Sequence, residues 1–182
     1  MEKPHFDDGH YIYFVTSKTF KNYPYFKEEK NCYILLNVIN ELKKELDFKL
    51  FGYVIMPDHL HCLIEPALDK KFNISYIMMR IKGWSARLIK LAEAEPSAKR
   101  EDNNNLACLG EASASPSVQV WQKSFHQIQI YSEKFFNQKL NYIHENPLKS
   151  QLVKDPADYP WSSYRNIYLD NNLLIEIDRP AL

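Results

Sequence analysis

Between Lys49 and Glu65 the chain reads K-L-F-G-Y-V-I-M, then Pro-Asp, then H-L-H-C-L-I-E, and this stretch limits the possible fold more than any other. Lys49 to Met56 is dominated by apolar, β-branched and aromatic groups and reads as a strand, and His59 to Glu65 alternates like a second one. Pro57-Asp58 between them is a turn pair: proline presets φ, and the aspartate side chain can bond to its own backbone. A hairpin of two adjacent antiparallel strands is expected, and the rest of the chain has to pack around it.

The flanking segments supply the layers for that packing. Tyr11 to Thr16, Y-I-Y-F-V-T, reads as an earlier strand. Cys32, Leu35, Leu36, Ile39, Leu42 and Leu46 form the apolar stripe of an amphipathic helix expected over Lys27 to Leu46. A second helix is expected from about Asn73 to Leu91, with Ile74, Ile77, Ile81, Leu88 and Leu91 inward and Arg80, Arg87 and Lys90 outward. Gln127 to Tyr131 alternates as a fourth strand, and Ser132 with Glu133 opens a third helix that Pro147 is expected to stop. The order strand, helix, strand, strand, helix, strand, followed by another helix, is that of an α+β ferredoxin-like sandwich. It implies a four-stranded antiparallel sheet with helices on one face and an additional helix, the one carrying Tyr142.

Composition sets the outer limits. A chain of 182 residues fits one domain, with a mobile insertion expected at 92–117, where Ala, Glu, Ser, Asn and Pro replace large apolar groups, and a tail at 148–182. The aromatics of D-Y-P-W-S-S-Y, Asp158 to Tyr164, suggest that this tail packs on the domain. No apolar run approaches the roughly 20 residues of a membrane span, and Met1–Asp8 has no secretory character, so a cytoplasmic location is expected. Cys32, Cys62 and Cys108 have no paired spacing, which argues against a disulfide framework or a cysteine-ligated zinc. With 23 basic and 23 acidic residues the net charge is zero and identifies no partner. Locally, Lys70, Lys71, Arg80, Lys82, Arg87 and Lys90 occur with no acidic residue among them, the pattern either of a solvated helix face or of a contact for nucleic-acid backbone. Trp84 and Tyr76 lie in the same stretch and can stack on unpaired bases if they are not buried.

Two constellations carry chemistry. Strand alternation puts His59 and His61 on one face and Leu60 on the other, so two imidazoles can chelate one divalent ion from a rigid support. Surface histidines or satisfied core histidines have the same spacing. In N-Y-I-H-E-N-P, Asn141 to Pro147, Tyr142 and Asn146 stand at i and i+4 on one helical face. A carboxamide oxygen can be a further hard ligand, and a phenol, whose ordinary pKa is roughly 10, can attack a metal-bound phosphate if assisted. On spacing alone, a core tyrosine with a C-terminal asparagine cap is the favoured reading. His5, His10, His126 and His144 are read as incidental, and Lys149 as either a phosphate contact or a solvated side chain.

Taken together, M-P-D-H-L-H-C-L-I, Y-I-H-E-N-P and D-Y-P-W-S-S-Y, in that order, resemble the single-tyrosine HUH transposases, and most closely their REP-associated tyrosine transposase branch. The resemblance runs from the first strand to about Tyr168. It implies that His59 and His61 bind Mg2+ or Mn2+ with Asn146 as third protein ligand, where compact insertion-sequence members carry glutamine. It also implies that Tyr142 is the nucleophile. Implied partners are single-stranded and hairpin DNA, cut to leave a 5′-phosphotyrosine and a free 3′ hydroxyl and rejoined by 3′-hydroxyl attack. A cytoplasmic, nucleoid-associated location is implied as well. The resemblance leaves monomer and homodimer both open. Two other readings stand beside it: a domesticated, non-cutting regulator that binds hairpin DNA, and a metal-dependent hydrolase that uses water, with Tyr142 structural.

Overall fold

The computed structural model describes residues 11–67, 72–94, 119–169 and 174–180. Pro57 and Asp58 join β2 (Lys49–Met56) to β3 (His59–Glu65), with Met56 opposite His59 and Lys49 opposite Glu65. The turn is also held from outside. The backbone N–H of Thr19 donates to the Asp58 carbonyl at 2.8 Å, and that of Phe26 to the Pro57 carbonyl at 3.0 Å. Both turn carbonyls are thereby satisfied within the protein.

β1 (Ile12–Lys18) pairs antiparallel with β3 on one side and with β4 (His126–Ile130) on the other, giving the order β2-β3-β1-β4. This is the expected four-stranded antiparallel sheet. β4 begins one residue earlier than expected, and Tyr131 leaves the ladder and is 70% exposed.

Six of the seven residues of β3 are buried, so both faces of the hairpin are covered. α1 (Glu29–Leu46) buries the whole expected stripe, Cys32 to Leu46, and packs against α2 (Ile74–Ala94) on the face that carries Leu60. α1 starts two residues later than expected because Tyr25–Lys27 forms a short 3-10 turn instead. α2 is capped by Asn73, whose side-chain oxygen accepts from the N–H of Tyr76 at 2.9 Å. Its inward row is Ile74, Ile77, Met78, Ile81, Ser85 and Ile89. Leu88 is only half-buried and Leu91 is exposed, contrary to expectation. Ser85 and Ile89 extend the Ile81 row at four-residue steps, and Leu91 lies about 200° around the helix from Ile89. α2 also runs through Ala94, so the expected insertion boundary at 92 falls inside it. Cys108 and the rest of that segment up to 118 lie outside the described residues.

α3 (Glu133–Lys149) covers the opposite, histidine-bearing face. Its N-terminus is built as expected: the Ser132 hydroxyl accepts from the N–H of Phe135 at 3.2 Å. Phe136 meets Phe51 edge-on at 5.7 Å, and Leu140 lies against Gly52, where an added Cβ would come 2.6 Å from Leu140 Cδ1. Glycine at this bulged point of β2 is what lets the helix approach so closely. Pro147 does not end α3, which continues to Lys149 and places the start of the tail two residues later than expected. The proline sits in the last turn, where it removes a single intrahelical bond, the one to the Ile143 carbonyl. Its own carbonyl still accepts from Leu152 at 2.9 Å.

The tail packs on the domain as the aromatics suggested, and it does so by closing the outer edge of β2. The Ile55 N–H donates to the Trp161 carbonyl at 2.8 Å, and the Ser163 N–H to the Tyr53 carbonyl at 2.9 Å, around an antiparallel bridge between Val54 and Ser162. Tyr159 Oη donates to the Ile55 carbonyl at 2.7 Å. After α4 (Tyr164–Tyr168) the chain returns to the same edge, where Asp178 bonds both the N–H and the carbonyl of Leu50. An edge that would otherwise expose unpaired backbone is thus covered.

Candidate active site

β3 presents His59 and His61 on the face under α3, their rings 4.7 Å apart at 76°. The second nitrogen of each ring has a partner. His59 Nδ1 lies 2.6 Å from Asp58 Oδ1, and His61 Nδ1 lies 2.8 Å from Thr16 Oγ1, directly across the ladder on β1. With Nδ1 carrying the proton, each hydrogen bond fixes its ring and leaves the Nε2 lone pair available. Phe14 stacks on His61 at 5.2 Å and helps to bury it, leaving it 5% exposed. Burial pushes the His61 imidazole down to about 3; the neighbouring His59, Lys139 and Lys18 act in the same direction, and the Val15 carbonyl opposes them. His61 is therefore neutral near pH 7, the form in which an imidazole ligates metal.

α3 brings Tyr142 over this pair. Its ring stands edge-on to His61 at 5.4 Å and to Phe14 at 5.8 Å, yet the residue remains 38% exposed. A tyrosine held only for core packing would be covered. One turn on, Asn146 is buried, and its Nδ2 donates to the Tyr142 carbonyl at 2.7 Å. That bond commits the amide nitrogen and leaves the carboxamide oxygen to other partners. Among the described residues no group of three or more His, Cys, Asp or Glu side chains is placed to hold a metal ion.

Two cations flank the phenol. Lys149 lies over the Tyr142 ring at 5.5 Å while paired with Glu145 at 2.7 Å. Lys139 lies over Phe14 at 4.8 Å and over Tyr142 at 5.7 Å. Sequence reading singled out Lys149 but passed over Lys139, although its place three residues before Tyr142 makes the two neighbours on a helix. Asp58 was legible as the sequence neighbour of His59; Thr16 had no local signal at all.

The expected basic stripe is elsewhere. Arg80 pairs with Glu45 on α1 at 2.9 Å and bonds Tyr76 Oη at 3.1 Å. Lys82 donates to the carbonyls of Lys123 and Ser124. Arg87 is exposed and Lys90 and Trp84 are half-buried, all on α2, away from the His59–His61 face. Lys70, Lys71, His5 and His10 lie outside the described residues. His126 is exposed on β4 opposite Thr16, and thus shares the His61 face one strand further out. His144 is buried, with Nε2 3.0 Å from Ser163 Oγ, and ties α3 to the tail.

Residues 10–106 match the family described as Transposase IS200 like. The chain belongs to that family. The matched span runs from β1 through α2 and contains both histidines. Among relatives of this IS200-like transposase, a protein assigned as a REP-associated tyrosine transposase in Haemophilus influenzae is 26% identical over 138 residues, covering 71% of this chain and 70% of the relative. The REP-associated tyrosine transposase of Escherichia coli is 22% identical over 132 residues, covering 72% of this chain and 63% of that protein. A solved REP-associated tyrosine transposase bound to a REP hairpin superposes with a TM-score of 0.66 at 18% identity, covering 91% of this chain and 83% of that one, and shares the fold. Among the described residues no helix is long and apolar enough to cross a membrane.

Proposed function

We propose that this IS200-like transposase is a metal-dependent single-strand DNA endonuclease and strand transferase that acts beside DNA hairpins through a 5′-phosphotyrosine linkage. The observation that carries the reading is Tyr142, open to solvent and held edge-on against His61. The solved relative bound to a REP hairpin supports the choice of substrate.

The residues present fit a divalent cation. Asp58 and Thr16 hold both Nδ1 positions, His61 is neutral, and the amide nitrogen of Asn146 is committed to the Tyr142 carbonyl. His59 Nε2, His61 Nε2 and Asn146 Oδ1 would hold Mg2+ or Mn2+; mixed imidazole and oxygen donors suit Mn2+, and the oxygen suits Mg2+. When bound, the cation polarises a phosphoryl oxygen and offsets the charge that develops on it. Tyr142 Oη forms the new bond to phosphorus, the bond from phosphorus to the 3′ oxygen breaks, and the proton given up by the phenol is balanced by the one that the 3′ oxygen gains. The phosphodiester is exchanged rather than spent, so 3′-hydroxyl attack on the tyrosine linkage rejoins strands without a nucleotide cofactor.

The test is a denaturing gel of end-labelled hairpin DNA with flanking single strand, incubated with Mg2+ or Mn2+. Wild type should cut and leave a denaturation-resistant adduct. Tyr142→Phe, which keeps the ring packing, should bind but neither cut nor form the adduct. Cutting by Tyr142→Phe at the wild-type rate would remove Tyr142 from the role, and wild-type cutting without any adduct would favour attack by water.

A further inference from the structure

α3 carries more than the nucleophile. At 100° per residue, Phe135, Lys139, Tyr142, Asn146 and Lys149 fall within a sector of about 80°, beside the buried Phe136–Leu140–Ile143 side. The contacts on this sector form an unbroken line. Tyr131, just before the helix and 70% exposed, stacks on Phe135 at 4.8 Å and 25°. Lys139 lies over Phe135 at 5.2 Å, over Phe14 at 4.8 Å and over Tyr142 at 5.7 Å, and Lys149 follows over Tyr142 at 5.5 Å. The sector contains no carboxylate: Glu133 lies on the far side, and Glu145, at its margin, is neutralised by Lys149 at 2.7 Å. Among the described residues no carboxylate pairs with Lys139. An exposed Tyr131 ring stacked on a half-buried Phe135, followed by a cation with no carboxylate partner that lies over the nucleophile, makes a flat aromatic and cationic surface suited to a ligand with π faces and negative charge.

We propose that this stripe is the track for the single strand beside the cut, with bases stacking on Tyr131 and Phe135 and Lys139 taking the backbone phosphate next to the one that Tyr142 attacks. The inference rests on the reading that the chain acts on single-stranded DNA. Rings supply a base-tolerant platform because every base has a π face, and lysine supplies a point charge without sequence preference. The line runs from Tyr131 to the Tyr142 ring, so a strand lying on it is delivered to the phenol. Duplex DNA cannot use it, since its bases are already stacked on one another. The α2 cations expected from the sequence cannot serve this strand, because they lie away from the His59–His61 face.

Binding separates the track from the chemistry. Fluorescence anisotropy in EDTA compares a labelled DNA hairpin bearing a thymidine tail with the same hairpin left blunt, using the full chain. Tyr131→Ala/Phe135→Ala should weaken binding of the tailed hairpin by roughly tenfold or more and leave the blunt hairpin unchanged. Phe135→Leu keeps apolar volume for folding while removing the flat ring, and should lose most of the same increment. Lys139→Gln should lower the slope of log affinity against log salt for the tailed hairpin by about 0.7. Tailed-hairpin affinity equal to wild type in these variants, or an equal loss on both DNAs, overturns the proposal. So does wild-type binding accompanied by a change of oligomeric state in sedimentation, which would assign the stripe to a second copy of the chain. No divalent ion is present and no cutting is read, so failure of the track and failure of Tyr142 as nucleophile give different results.

Discussion

At the scale of single residues, the site depends on how two imidazoles are oriented. Asp58 and Thr16 each occupy an Nδ1, one from the turn and one from the neighbouring strand. Partners of this kind are worth roughly 10–100-fold in metal affinity when removed. Thr16→Val, which keeps the shape but removes the hydroxyl, should therefore weaken Mn2+ binding by roughly that factor while the protein stays folded. The His59→Ala/His61→Ala variant should lose the binding altogether. Calorimetric titration with Mn2+ checks both, and unchanged affinity in the double variant would overturn the metal assignment.

At the scale of elements, the decisive contact is α3 on the β2–β3 hairpin. Gly52 is a point of close approach, with Leu140 Cδ1 only 2.6 Å from where a Cβ would stand. Gly52→Ala must push that side chain or the helix outward, and overpacking of this kind costs roughly 1–3 kcal/mol. Where the helix rather than the Leu140 side chain gives way, Tyr142 is lifted from His61 as well, since both contacts lie on one element. Urea unfolding should show the loss. Combining it with Leu140→Ala should cost less than the sum of the single variants, because the two side chains compete for one space. Strict additivity would show that the two positions do not meet.

At the scale of the whole molecule, two buried histidines tie stability to pH. Burial holds His144 near 4 and His61 near 3, whereas in the unfolded chain both titrate near the ordinary 6.5. Below 6.5 the unfolded chain takes up protons that the folded one refuses. Stability should therefore fall as pH drops from 6.5 and level off below about 4 for His144 and about 3 for His61. Urea midpoints measured without metal between neutral pH and that range should decline accordingly. His144→Gln, which keeps a polar group for Ser163, should flatten part of the decline; an unchanged slope would show that His144 does not contribute.

Much of the local architecture could be read from the order of residues alone. Both hairpin strands have the expected bounds, the α1 stripe is buried in full, and His59 and His61 share a face with Leu60 opposite. These features follow from backbone periods of two and 3.6, which act between residues at most a few positions apart. The α2 and α3 ends were less legible: Leu91 is turned outward, and Pro147 is accommodated inside the helix. The site itself was legible as residue types but not as an arrangement. Thr16 reaches His61 across 45 positions through strand register, and Lys139 and Tyr131 gained meaning only when α3 docked over Phe14 and His61. The basic run on α2 had the right composition, but packing against α1 turned Arg80 to Glu45. Which groups meet is decided by register and helix docking, whose energies come from contacts between distant segments; local periodicity carries no information about those, and only the tertiary structure settles them.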